Sequence, residues 1–154
     1  MKSGQFLRTL SIVHLFFVVG LVVFAIIAYW QLETFVTQID GNDTLLYIVP
    51  VVALIGYFGS QFVFKQALKA IPKTDAIDTK LAKYKTATIL KFALIEGAAI
   101  LALIAFHGSG IVLYFVIGIC LIAYLIVQKP NYERLKNDMA LSLAETEQID
   151  TFQN

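Results

Sequence analysis

Residues 91–106 read KFALIEGAAILALIAF, and the fold follows from how this stretch is read. From Phe92 onward it is apolar or small, except for one acid near its centre, Glu96. The run does not stop there: residues 97–128 hold no Asp, Glu, Lys or Arg over 32 positions. Two earlier stretches are equally bare of charge, 9–32 with 24 residues and 44–64 with 21. A hydrocarbon core about 30 Å thick is crossed by roughly 20 helical residues at about 1.5 Å each. The longest run contains His107-Gly108-Ser109-Gly110, a turn signal. Counting back from that turn starts the preceding helix near Lys85–Thr88, so it takes in both Lys91 and Glu96. Four spans are expected, at about 8–30, 45–65, 86–107 and 111–129. Open sheet edges cannot face lipid, so the spans are expected to be helices.

Composition agrees. Apolar residues make up 58% of the 154 and charged residues 15%, against about 45–50% and about 25% in soluble chains. The length suits one domain. The expected fold is all-α: an integral membrane four-helix bundle over residues 1–130, with a short amphipathic cytoplasmic tail over 131–154. The start, MKSGQFLRTL, precedes an apolar run too long for a signal peptide and without a clear small-residue cleavage site, so the first span is expected to be retained.

The basic residues are lopsided. Lys2 and Arg8 precede span one, six lysines from Lys65 to Lys85 lie between spans two and three, and Lys129, Arg134 and Lys136 follow span four. The loops 31–44 and 107–110 have no Lys or Arg, and the first carries Glu33, Asp40 and Asp43. The positive-inside rule then places both termini in the cytoplasm and the chain in the inner (plasma) membrane. Lys91, a turn deep on that side, can snorkel outward. Tyr29 and Trp30 suit an aromatic belt at the other end. The cytoplasmic lysines are a topology signal, and they are also able to contact anionic lipid.

Local signals fill in the connections. Pro50 falls in the first turns of span two, where a missing N–H does little harm. Pro72 breaks the segment between spans two and three. Asp75 is expected to cap a helix carrying Ile77, Leu81 and Tyr84 on one face, so that span three projects beyond the membrane. After Pro130, Tyr132, Leu135 and Met139 share a face that suits the inner surface. Ser142 with Glu145 makes a capping-box pattern. Residues 9–28 align without gaps to 86–105 with six identities, including Gly20 with Gly97. This reads either as a duplication about an axis along the membrane normal or as shared apolar composition.

Glu96 is the leading candidate for chemistry. An intramembrane acid marks a functional site by default. Ala93 with Gly97, and Ala98 with Ala102, are small pairs one turn apart, and span two offers Gly56 and Ser60 as a match. Such pairs admit a second helix closely, so Glu96 is expected to face protein. Tyr57, Ser60 and Tyr124 lie at a similar depth as hydrogen-bond partners for its carboxyl. One reading is a proton or cation site, with His14 as a relay. The other is a protonated acid joining helices, with His14 bonded to a neighbour. Gln61 and Cys120 are expected to serve packing. No disulfide, zinc set, phosphate loop or catalytic triad is written in the sequence, and His14 and His107 sit at opposite ends, so no metal, cofactor or enzyme activity is expected. The net charge of +1 suggests no nucleic-acid partner.

Around Glu96 the phrase resembles the carboxylate helix of rotary ATPase proteolipid subunits. The partner helix there is rich in glycine, whereas span one here has only Gly20, so only the physical analogy carries over. With LLYIVPVVALIGYF, the Glu96-Gly97 pair and KPNYERL, the chain is similar to small four-span proteins of unassigned function in Bacteroidota-type bacteria, a resemblance that implies no activity. A bundle of four has few interior positions, which points to a homo-oligomer or a place in a larger membrane complex in the lipid bilayer. The expected function is a structural or accessory membrane subunit. The alternative is a small proton- or cation-coupled transporter or channel with Glu96 as the titrating site.

Overall fold

The computed structural model describes residues 3–37, 41 and 43–139. Its regular elements are helices: α1 (Ser3–Trp30), α2 (Leu45–Leu54), a π-helical turn (Ile55–Gly59), α3 (Ser60–Lys69), α4 (Ile77–Ser109), α5 (Val112–Val127) and α6 (Tyr132–Met139). Asp40 and the Ser142–Glu145 capping pattern lie outside the described residues.

Three helical stretches are long and apolar enough to cross a membrane: Gln5–Trp30, Leu45–Lys69 and Ile77–Ser109. α5 has only 16 residues, about 24 Å at 1.5 Å each. It passes the same test only when joined to α6, from which it is bent by 87°. The described residues therefore hold three or four candidate spans.

α4 is longer than the expected 86–107 because the amphipathic turn at Ile77 continues into it without a break. Its N-cap is Ala76, with no side-chain capping bond. Asp75 does not cap; it pairs with Lys83 Nζ at 2.6 Å instead. Pro50 is the sixth residue of α2, in its second turn, and the π turn follows one turn later. A π turn holds one extra residue, which rotates the faces beyond it by roughly 100°. α2 and α3 thus continue as one rod with different residues turned inward.

Clusters of buried side chains give the directions of the helices. At one end Phe6 and Leu10 of α1 meet Phe64 of α3, Leu81 and Tyr84 of α4, and Leu135 of α6. At the other, Ala28 of α1 meets Val49 of α2, Phe106 of α4 and Tyr114 of α5. The first is the basic end, because Lys65 and Lys69 of α3, Lys73 of the connection and Lys80, Lys83 and Lys85 of α4 collect there. Between the two, Ile95, Ala99 and Leu103 of α4 pack with Leu21 and Ala25 of α1 and Leu121 and Leu125 of α5. α4 is the hub that the other spans touch. α6 is no separate arm: Leu135 is fully buried in the basic-end cluster.

At the far end the 31–37 segment is pinned to the α4–α5 turn. Val36 N–H donates to Gly110 O at 2.9 Å, and Val112 N–H donates to Val36 O at 3.1 Å. Gly110 has φ +71, and a Cβ there would sit 2.8 Å from Thr34 O, so the turn needs glycine. Asp43 ties down the start of α2, taking Leu45 N–H at 3.0 Å and the Tyr114 hydroxyl at 2.8 Å. Trp30 is 83% exposed at this end.

Two glycines set the distance of closest approach to α4. A Cβ on Gly56 would lie 2.5 Å from Ala98 Cβ and 3.2 Å from Leu94 O. A Cβ on Gly118 would lie 2.9 Å from Leu103 Cδ2. Gly97 has nothing within 4 Å of such an atom. Gly56→Ala is therefore expected to lower stability by about 1–3 kcal/mol through overpacking. Adding Ala98→Gly should restore most of the loss, and Gly97→Ala should change it by no more than about 0.5 kcal/mol. Unfolding midpoints in detergent, followed by circular dichroism, check all three.

Candidate functional site

Glu96 does not sit where the small pairs of α4 suggested. Ala98 faces Gly56, and Glu96, two residues earlier, lies about 200° around the helix from it. The carboxyl is half-buried, beside Ala93 and Gly97, which are both exposed. Only the second pair packs: Ala98 against Gly56, and Ala102, fully buried, beside Gly118 of α5. Among the described residues no side chain hydrogen-bonds or ion-pairs with Glu96. An acid left facing hydrocarbon costs about 2.5–3.5 kcal/mol on insertion scales.

The partners expected for Glu96 are engaged elsewhere. Ser60 is fully buried, and its hydroxyl donates to Tyr57 O at 2.8 Å within its own helix. Tyr124 OH accepts from Gln61 Nε2. The Tyr57 ring packs against that of Tyr124, tilted by 53° with centroids 4.6 Å apart. These four make one polar seam where α3 and the π turn meet α5, on the Gly56 side of α4. Gln61 is thus a hydrogen-bonding member of that seam and not only packing.

His14 is buried and joins α1 to α5. Its Nε2 donates to Leu125 O at 2.7 Å, and the ring lies edge-on to Phe92 with centroids 5.0 Å apart. A backbone carbonyl only accepts, so Nε2 carries the hydrogen. The bond to a neighbour, not a contact with Glu96, is what His14 makes. Cys120, expected to be buried, is exposed on α5. It faces an apolar groove between α2 and α5 with Pro50 and Tyr57.

A polar enclosure lies at the basic end. A cavity of about 460 Å³ lies between α3, α4 and the α5–α6 bend. Lys65, Lys69, Lys91 and Arg134 line it, with Tyr84 and Asp138. Lys91 does not snorkel to solvent: it is only 8% exposed, and its Nζ lies 4.8 Å from the Phe64 ring centre. Lys91 Nζ donates to Gln128 Oε1 at 2.7 Å, and Arg134 Nη1 donates to the same oxygen at 3.1 Å. Arg134 Nη2 also donates to Val127 O at 3.0 Å, closing the end of α5. The Tyr84 hydroxyl donates to Asp138 at 3.2 Å.

Sequence reasoning did not find Gln128, Arg134 or Asp138 as a group with Lys91. The signal that was present is Gln128, a polar residue ending the long charge-free run. What hid the group is the 87° bend, which folds α6 back beneath the helix ends. No family model, curated protein or solved structure matches this chain. The resemblance to small four-span proteins therefore assigns no family.

The Gln61–Tyr124 bond offers a direct check on the seam. Tyr124→Phe removes the acceptor and is expected to cost about 1–3 kcal/mol, because the Gln61 amide loses its partner. Gln61→Leu combined with Tyr124→Phe should cost less than the two singles added together. A double-mutant cycle on unfolding midpoints measures that difference.

Proposed function

We propose that this chain is a structural or accessory subunit of a membrane assembly, in which the α4 face around Glu96 meets a helix from outside the chain. What carries this reading is one observation. Glu96 is half-buried without a partner among the described residues, next to exposed Ala93 and Gly97. In lipid, small residues let helices approach closely, and a polar side chain bonded across the contact adds about 1–2 kcal/mol. A second copy or another subunit would supply that bond.

A proton or cation pathway through Glu96 has less support. The polar cavity at the basic end does not include Glu96, and four cationic side chains line it against one carboxylate. Such a mouth repels cations.

Association in mild detergent tests the assembly reading. Glu96→Gln keeps a hydrogen-bonding amide and should associate nearly as the native chain does. Glu96→Ala should weaken association about 5- to 30-fold, from the loss of about 1–2 kcal/mol. Gly97→Leu should weaken it further by blocking close approach. An unchanged monomer fraction in Glu96→Ala, measured by light scattering, would sink the idea. Loss of a proton or cation flux in vesicles by an otherwise normally assembled Glu96→Gln would favour transport instead.

In this reading the apolar stretches form a four-helix bundle in the inner membrane, with both termini and the basic end in the cytoplasm. The lysine-rich basic end and the Lys- and Arg-free 31–44 loop support that orientation. Phe35→Cys, in a Cys120→Ser background, is expected to react with an impermeant thiol reagent from outside intact cells. Reaction only after the cells are opened would reverse the orientation.

A further inference from the structure

Two cations converge on one neutral oxygen at the basic end. The Lys91 ammonium and the Arg134 guanidinium both donate to Gln128 Oε1, and neither sits in an ion pair with a carboxylate among the described residues. The one acid in the cavity wall, Asp138, accepts from Tyr84. Lys65 and Lys69 add two more positive charges to the same wall. An adjoining cavity of about 250 Å³ shares Lys69 and Asp138 and adds Lys73 and Lys80.

A protein gathers like charges only against their mutual repulsion. Here Gln128 orients two of them without neutralising either. Lys91 is also held in place by burial and by the Phe64 ring. We propose that this cavity binds a phosphate-ester anion, with Lys91 and Arg134 as the fixed donors and Lys65 and Lys69 as the outer wall.

The chemistry fits that class of ligand. An ammonium has three N–H donors and a guanidinium five. Gln128 takes one of those on Lys91, and Gln128 and Val127 take two of those on Arg134. The remaining donors match the several acceptor oxygens of a phosphate, and arginine binds them in a forked geometry. The volume lies within the roughly 300–1,000 Å³ of ligand sites. Leu68 and Phe92 in the wall offer apolar surface to the carbon side of an ester. Lys91 lies five residues, about 7.5 Å, toward the basic end from Glu96. With the basic end in the cytoplasm, as proposed above, the cavity opens at the headgroup level of the inner leaflet, where basic pockets between helices take anionic headgroups. A soluble phosphate ester would use the same donors. The site does not depend on how Glu96 is partnered.

The test uses the full chain in a neutral maltoside detergent, with phosphatidylglycerol, phosphatidylcholine and glycerol phosphate as probes. Thermal unfolding and native mass spectrometry read the binding. Phosphatidylglycerol should raise the unfolding midpoint and stay bound, while phosphatidylcholine should do neither. Lys65→Gln with Lys69→Gln, both at exposed positions, should weaken phosphatidylglycerol about 30-fold, from about 1 kcal/mol per basic residue. Lys85→Gln with Lys129→Gln removes the same charge from the same end outside the cavity and should weaken it less than about threefold. Lys91→Met, if it folds by circular dichroism, should abolish the shift; if it does not fold, the wall pair carries the test. A shift with glycerol phosphate that the wall pair loses would support the site and name a soluble ester as its source. Equal stabilisation by the two lipids with none from glycerol phosphate, or equal losses in the two double variants, would overturn the proposal.

Discussion

The contact of Gly56 with Ala98 is the constraint on which the rest of the arrangement turns. Between helices in hydrocarbon, burying apolar surface brings no advantage over lipid, so shape and dispersion decide which faces meet. With no side chain at Gly56, the α2–α3 rod comes close enough that an added Cβ would fall 2.5 Å from Ala98. Gly118 does the same for α5 against Leu103. These two approaches fix the rotation of α4 about its own axis. Once that rotation is set, so is the place of every polar residue the helix carries.

Glu96 and Lys91 show the consequence. They are five residues apart on one helix, which separates them by about 140° around the axis. Lys91 turns into the cavity beneath the α5–α6 bend and meets Gln128. Glu96 turns to the open side beside exposed Ala93 and Gly97. One helix therefore carries a base enclosed within the chain and an acid offered outward. The two proposals follow that division: an anion at the enclosed base, and a helix at the outward acid.

The bend after α5 matters as much. α5 is short for a span, and the chain turns by 87° into α6. Arg134 holds that corner through the carbonyl of Val127, and Leu135 buries itself among Phe6, Phe64 and Tyr84. The amphipathic face that suggested a helix lying on lipid is instead spent on the basic-end core. The same docking brings Arg134 and Asp138 into the cavity wall.

The sequence by itself determined where the apolar stretches lie and which connections carry the lysines. Both are one-dimensional properties: a charge-free length measured against a bilayer, and a count of basic residues between such lengths. The rotation of each helix was not readable, because a helix that is apolar all round has no period to mark its buried face. α4 offered two small-residue pairs, Ala93 with Gly97 and Ala98 with Ala102, and nothing in the one-letter code ranks them. The tertiary structure chose the second through Gly56 and Gly118, left the first uncovered, and so put Glu96 on the open face. It also brought Lys91, Gln128 and Arg134 together across a bend that local patterning does not record. Only the packing of helices from different parts of the chain can decide such things, since each face is chosen by what lies against it.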